Sequence, residues 1–333
     1  MVPFSILDLS PVTEGGTVAQ SLKNSRRFAQ EAEALGYERF WLAEHHGMRG
    51  IASAATALVI QHVAAGTEKI RIGAGGIMLP NHSPLVIAEQ FGTLEALFPG
   101  RVDLGLGRAP GTDMLTARAL RRNLDSAANQ FPQDVVELLQ LLGPRQPEQR
   151  VIAVPGIDSN VPVWLLGSSH YSAHLAGMLG LPFAFASHFA PDMLLSALEI
   201  YRERFEPSQH LDRPHVMVGV MGAAAETDAE AARLFTSMQQ SFVRLRRGTP
   251  DAFPPPVDSM DGLWSDQERI MVEHTLQYAV VGGPETIRRQ IADFLALTKA
   301  DELIVSMPVF DMAARLTSLR LFAEARRDLA EAA

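Results

Sequence analysis

Leu35-Gly36-Tyr37-Glu38-Arg39-Phe40-Trp41-Leu42-Ala43-Glu44-His45-His46 carries the pattern of the whole chain. Gly36 closes a helical run as a C-terminal cap, a short apolar run reads as a buried strand, and three ionisable side chains stand at its end. Ala65-Gly66-Thr67 repeats the cap ahead of a second such run, Ile70-Arg71-Ile72. Working outward, candidate strands fall at 4–8, 39–43, 70–78, 102–107, 163–167, 183–187, 216–220 and 302–307. Helical periodicity marks 21–35, 54–65, 85–97, 192–205, 229–246, 266–277, 285–297 and 312–331. Strands alternating with helices predict parallel pairing through right-handed crossovers. The simplest closure is an α/β fold of the (β/α)8 TIM-barrel type, which has no open sheet edge. A doubly wound open sheet is the alternative, and the chain lacks the dinucleotide fingerprint that would favour it.

At 333 residues, 47% hydrophobic and 20% charged, the chain can bury one large core, so a single barrel domain over 1–333 is expected. Insertions are expected near 144–160 and 248–266, where prolines are too dense for a helix or central strand. The second, with Pro250, Pro254, Pro255, Pro256 and Gly262, reads either as a lid that shapes a pocket or as a slack surface loop.

A formal net charge of −9 argues against nucleic acid or an anionic membrane as the main partner, although a local basic patch can still grip one phosphate. With no cysteine, the chain has no disulfide, thiolate nucleophile, zinc–thiolate site or iron–sulfur cluster. No secretory signal is visible, and the longest apolar stretch, 175–187, is too short for a bilayer and contains Gly177, Gly180 and Pro182. A cytoplasmic location is the expectation.

In a barrel of this kind the C-terminal strand ends face the active site. They carry Asp8, Glu44-His45-His46, the run Met78 to His82, Arg108, Ser168-Ser169-His170 and Ser187-His188. Glu44-His45-His46 is the densest cluster: histidine moves protons near neutral pH, and a neighbouring carboxylate can fix its tautomer. A solvated strand end and a metal site are the alternatives; the metal reading is weakened because no His-x-His pair follows strand one and no lysine ends strand four.

Gly167-Ser168-Ser169-His170-Tyr171-Ser172 leads from a strand into a helix, where free N–H groups and serine hydroxyls can donate to phosphate oxygens. Arg108, on the neighbouring strand end, adds a charge-assisted partner, while plain helix capping is the bland alternative. Gly73-Ala74-Gly75-Gly76 fits neither a Walker loop nor a dinucleotide fingerprint and suggests a bulge or a flat ligand against the backbone.

These residues resemble the bacterial luciferase-like flavin-dependent oxidoreductases, and most closely a monooxygenase subgroup. The likeness rests on Phe40 to His46, Gly73 to Pro80, Ala88-Glu89-Gln90 through Gly100 to Arg108, Gly167-Ser168-Ser169, Phe185 to Pro191 and Val281 to Glu285, and so covers almost the whole chain. It implies a (β/α)8 barrel, FMN as cofactor, and His45 as the acid/base beside the flavin, with His188 assisting or orienting substrate. Gly75-Gly76 falls where the family places a non-prolyl cis peptide against the isoalloxazine ring. Arg108, Ser169 and Ser172 match positions that hold the FMN phosphate; Ser168 stands where the luciferase α chain has an acidic residue. Glu44 belongs with the cofactor-binding set as a support.

The resemblance further implies reduced FMN supplied by a separate NAD(P)H-dependent flavin reductase, dioxygen as co-substrate, a small organic substrate with aldehydes as one candidate class, and a homodimer. Gly107 replaces a cysteine that luciferase has there, which argues against assuming light emission or the same aldehyde. A deazaflavin-dependent hydride-transfer enzyme is the first alternative and a noncatalytic flavin-binding protein the second.

Overall fold

The computed structural model describes residues 2–109, 114–120 and 130–331. Its centre is a closed parallel barrel. In chain order the strands are β1 (Phe4–Asp8), β2 (Arg39–Leu42), β3 (Arg71–Met78), β4 (Val102–Gly107), β5 (Val163–Gly167), β6 (Phe183–Phe185), β7 (Val216–Ala224), β8 (Val280–Gly282) and β9 (Glu302–Ser306). Each pairs in parallel with its neighbour from β1 to β7, then β9 lies between β7 and β1, and the β6–β7 pairing closes the ring. The TIM-barrel expectation is met, with eight strands in the ring. β8 lies outside it and pairs only with the far end of β7, at Gly222, Ala223 and Ala224.

The helices are α1 (Val18–Ala34), α2 (Thr56–Ala64), α3 (Pro84–Leu97), α4 (Met114–Leu120), α5 (Phe131–Leu142), α6 (His170–Met178), α7 (Leu194–Arg204), α8 (Asp228–Arg246), α9 (Asp266–Thr275), α10 (Pro284–Thr298) and α11 (Met312–Glu331). Their starts are written locally: Thr17 accepts from the Gln20 N–H at 3.2 Å, and Ser265 with Glu268 forms a reciprocal capping box. Gly36, with φ +76°, follows α1 as its sequence position predicted.

Alternation along each strand sorts the side chains. Phe4 and Ile6 of β1, Phe40 and Leu42 of β2, and Leu104 and Leu106 of β4 point out into a core shared with the helices. Leu7, Trp41, Trp164, Ala184, Met217 and Ile304 point inward and fill the barrel, with the two tryptophan rings edge to face at 5.2 Å.

Charged residues at the N-terminal strand ends close the floor beneath that layer. Asp103 takes Arg39 Nη1 at 2.7 Å, Arg71 Nη2 at 2.5 Å and the Trp41 Nε1–H at 3.2 Å. Arg39 Nε reaches Glu302 at 3.0 Å, and Ser5 Oγ donates to the same carboxylate. The strand-end residues singled out in the sequence lie at the opposite, C-terminal end.

The two proline-rich segments behave differently. Residues 144–160 have no regular structure and pack on the outside of α3, where a Cβ at Gly92 would lie 2.3 Å from Gly156 Cα. The segment near 248–262 is anchored to the loops after β1 and β2: Phe253 N–H donates to Val12 O at 2.8 Å, Glu14 N–H donates to Phe253 O at 2.9 Å, and Arg49 Nη1 lies 3.6 Å from the Asp251 carboxylate. It thus lies at the C-terminal end of the barrel, tied to the loop that leaves Glu44-His45-His46. Among the described residues no helix is long and apolar enough to cross a membrane.

Candidate active site

Glycine on the inward positions of β3, β4 and β7 decides how closely neighbouring groups pack at the C-terminal end. A Cβ at Gly75 would stand 2.9 Å from Leu7 Cδ1, at Gly105 2.3 Å from Ala74 O and 2.7 Å from Leu166 Cδ1, and at Gly107 2.7 Å from Met78 Sδ. The absence of a Cβ at these points lets Leu7, Leu166, Met78 and the neighbouring strand backbone pack directly against β3 and β4. The Gly75-Gly76 peptide is cis, and the β3–β4 register shifts between Gly75 and Ile77, the bulge that a glycine-rich strand suggested.

Glu44 stands beside β3. Its own N–H donates to Gly76 O at 3.2 Å. Its carboxylate accepts from Met78 N–H at 2.9 Å and Asn81 Nδ2 at 3.1 Å, meets His46 Nε2 at 2.7 Å, and has His82 Nε2 at 2.9 Å from each oxygen. The side chain is 1% exposed. Burial alone would raise its pKa, but the hydrogen bond and charge of His82, then His46 and the Met78 N–H, outweigh burial and hold the carboxyl below the ordinary glutamate range. These donors come from the end of β3, the turn beyond it and the residue after His45, so Glu44 braces the end of β3 against the end of β2.

His45 occupies the next position with a different surrounding. Its Nδ1 is buried and has no hydrogen-bond partner. Burial lowers its pKa, Glu44 partly opposes this, and His46 adds to the lowering, so the surroundings favour the neutral ring. His188, just past β6, also has a buried Nδ1 without a partner, and burial pushes its pKa down to about 4. Its ring rests on β7, where a Cβ at Gly219 would lie 2.4 Å from that nitrogen. Ser187 Oγ donates to Gly219 O at 2.7 Å and fixes the backbone that carries the ring.

Across the mouth, β5 runs into α6 through Gly167, Ser168 and Ser169. Ser169 is the residue before the helix, yet its side chain makes no capping bond to it. Ser172 is buried against Gly167, where a Cβ would meet its Oγ at 2.2 Å, whereas Ser168 is exposed. Arg108, exposed at the end of β4, lays its guanidinium 4.1 Å over the Tyr171 ring. The candidates therefore share one rim, with Glu44 and His45 from β2, Gly75 and Gly76 from β3, Arg108 from β4, Ser168, Ser169 and Ser172 beyond β5, and His188 beyond β6.

Asp8 does not belong to that rim. It continues the outward face of β1, and Arg315 Nη2 meets it at 2.8 Å behind the barrel. Gly219, Tyr171 and the Glu44–His82 contact are absent from the residue list built on strand ends alone. An inward glycine on the Val218-Gly219-Val220 alternation was the available signal for the first; the others depend on loop paths. No group of three or more histidine, aspartate or glutamate side chains among the described residues is placed to hold a metal ion.

The profile of the luciferase-like monooxygenase family matches residues 2–302. The chain belongs to this family. Among its relatives, YvbT of Bacillus subtilis (strain 168) is 54% identical over 322 residues, covering 96% of each chain. A luciferase-like monooxygenase of Escherichia coli (strain K12) is 51% identical over 328 residues, covering 98% of each. An N-acetyl-S-alkylcysteine monooxygenase of Bacillus subtilis (strain 168) is 36% identical over 254 residues, covering 74% of this chain and 75% of that one.

Of solved structures, apo-MsnO8 superposes with a TM-score of 0.92 at 36% identity, covering 98% of this chain and 99% of the other. The luciferase-like fold extends to more distant barrels. The FMN complex of the oxygenating constituent of 3,6-diketocamphane monooxygenase from Pseudomonas putida has a TM-score of 0.69 at 18% identity, covering 97% of each chain. An F420-dependent secondary alcohol dehydrogenase has a TM-score of 0.70 at 14% identity, covering 97% of this chain and 98% of that one.

Proposed function

We propose that this protein is an FMN-dependent monooxygenase that takes reduced flavin from a separate NAD(P)H-dependent reductase and uses dioxygen to oxidise a small organic substrate. The observation that carries the reading is a pair of buried imidazole nitrogens without partners, His45 Nδ1 and His188 Nδ1, at the C-terminal rim of a barrel of this family. Buried polar atoms without partners are costly, and a ligand that supplies the partner offsets that cost.

The residues fit a flavin mononucleotide. Arg108, Ser169 and Ser172 would hold its phosphate with Ser168 beside them, and the Gly75-Gly76 segment of β3 would lie against the flat ring system. The bound reduced flavin supplies the electrons that activate dioxygen. His45, shielded and favoured as the neutral ring, holds or accepts a proton at Nδ1. Glu44 keeps the β3 end in place beside it. His188, also neutral, offers Nδ1 to a polar atom of the substrate. The proline-rich 248–262 segment would close over the site and keep water out, held by its bonds to Val12 and Glu14.

The substrate class to try first is an S-alkyl thioether, because the B. subtilis relative that covers three quarters of the chain is named for one. We place the enzyme in the cytoplasm as a homodimer. The test is oxygen consumption with FMN, NADPH, a generic flavin reductase and N-acetyl-S-alkylcysteines. Thioether-dependent sulfoxide formation supports the reading; oxygen uptake that ends entirely as free peroxide for every substrate tried counts against it. Preferential binding of a deazaflavin over FMN would instead favour hydride transfer.

A further inference from the structure

We propose that Tyr171 is a positioning residue for the cofactor phosphate and acts through Arg108, an inference that rests on reading the β5–α6 junction as the phosphate site. Arg108 is exposed and makes no ion pair among the described residues, yet its guanidinium is not loose: its Cζ lies 4.1 Å from the centroid of the Tyr171 ring. Tyr171 is in the first turn of α6, between Ser169 and Ser172, the two serines assigned to the phosphate. Stacking engages only the face of the guanidinium. Its N–H donors lie in the plane at the edge and stay available for phosphate oxygens. The ring therefore holds the cation at the first turn of α6 before any ligand arrives, so less side-chain freedom is lost on binding.

Two features keep the platform itself in place. His170 Nε2 meets Ser196 Oγ at 2.7 Å and ties the first turn of α6 to α7. Ser172, on the next position, is buried against Gly167. Tyr171 itself is 36% exposed, so it adds little to the core, and its replacement leaves the fold intact. A chance surface contact predicts no link between this ring and phosphate; a positioning role predicts one that vanishes when Arg108 is gone.

The test compares dissociation constants of FMN and riboflavin for the wild type, Tyr171→Phe, Tyr171→Leu, Arg108→Ala and the Leu/Ala double variant, with thermal melting as a control on folding. Tyr171→Leu should weaken FMN about two- to five-fold and leave riboflavin unchanged. Tyr171→Phe should restore wild-type FMN affinity, and Tyr171→Leu should cost nothing further once Arg108 is alanine. Equal weakening of FMN and riboflavin, or full additivity with Arg108→Ala, overturns the role of Tyr171 alone. A wild type that binds riboflavin as tightly as FMN overturns the phosphate site and this inference with it.

Discussion

His82 Nε2 lies 2.9 Å from both carboxylate oxygens of Glu44, so the ends of β2 and β3 are clasped through one buried charge. His46 and Asn81 bind the same carboxylate, and the Met78 N–H completes it. Glu44→Gln keeps the shape but removes the charge and turns one acceptor into a donor facing donors. It should destabilise the fold by about 1–3 kcal/mol in urea unfolding at pH 7.

The sign of the pH dependence follows from the same contact. The carboxyl of Glu44 is held below its ordinary value in the folded chain, so its stabilisation is fully present above the unfolded pKa, about 4.3, and is lost as pH falls through the folded one. Wild type should lose its advantage over Glu44→Gln as pH drops below about 4.3. A constant difference from pH 7 to pH 3 would show that the carboxylate is not the source.

His188 works in the opposite direction to a paired histidine. Its folded pKa is pushed down to about 4, so the unfolded chain takes up a proton that the folded chain refuses between the ordinary value of about 6.5 and 4. Stability should fall across that window with a slope approaching 1.4 kcal/mol per pH unit from this group. His188→Asn should flatten the slope, which urea unfolding at pH 7, 6 and 5 would measure.

Gly219→Ala puts a Cβ 2.4 Å from His188 Nδ1 and forces the ring off β7. Turnover should drop on the order of 10- to 100-fold while FMN affinity is kept. Loss of FMN binding in this variant would contradict the placement of His188 on the substrate side.

At the far end of the barrel, Asp103→Asn strips the shared partner from Arg39 and Arg71. Breaking a buried ion pair on one side costs about 3–5 kcal/mol, so the variant should be strongly destabilised in urea. A shift below 1 kcal/mol would mean that water already compensates the two arginines.

Much of this was legible in the order of residues. Apolar runs closed by glycine caps placed the ring strands, and the strand-end rule gathered His45, Arg108, Ser169, Ser172 and His188 on one rim before any coordinates. β8 escaped because Val280 to Gly282 is three residues long and pairs outside the barrel, where periodicity carries no signal. α5 escaped because the sequence reading followed strands and left the long β4–β5 connection unassigned, although Phe131–Leu142 is amphipathic. Asp8 was misplaced because alternation, not proximity to a strand end, decides which way a side chain faces. The segment at 144–160, with three prolines, and the segment at 248–262, with four, both read as proline-rich insertions. Only packing separates them, the first on α3 and the second on the loops after β1 and β2.

The central claim is that the Gly75-Gly76 segment and the β5–α6 junction hold FMN by its ring and its phosphate. Equilibrium binding of FMN, riboflavin and a deazaflavin to the wild type and to Arg108→Ala tests it most directly. Saturable binding of FMN, tighter than that of the other two and reduced by Arg108→Ala to the level of riboflavin, is the result expected. Absence of saturable FMN binding, or an FMN affinity indifferent to Arg108, would contradict it.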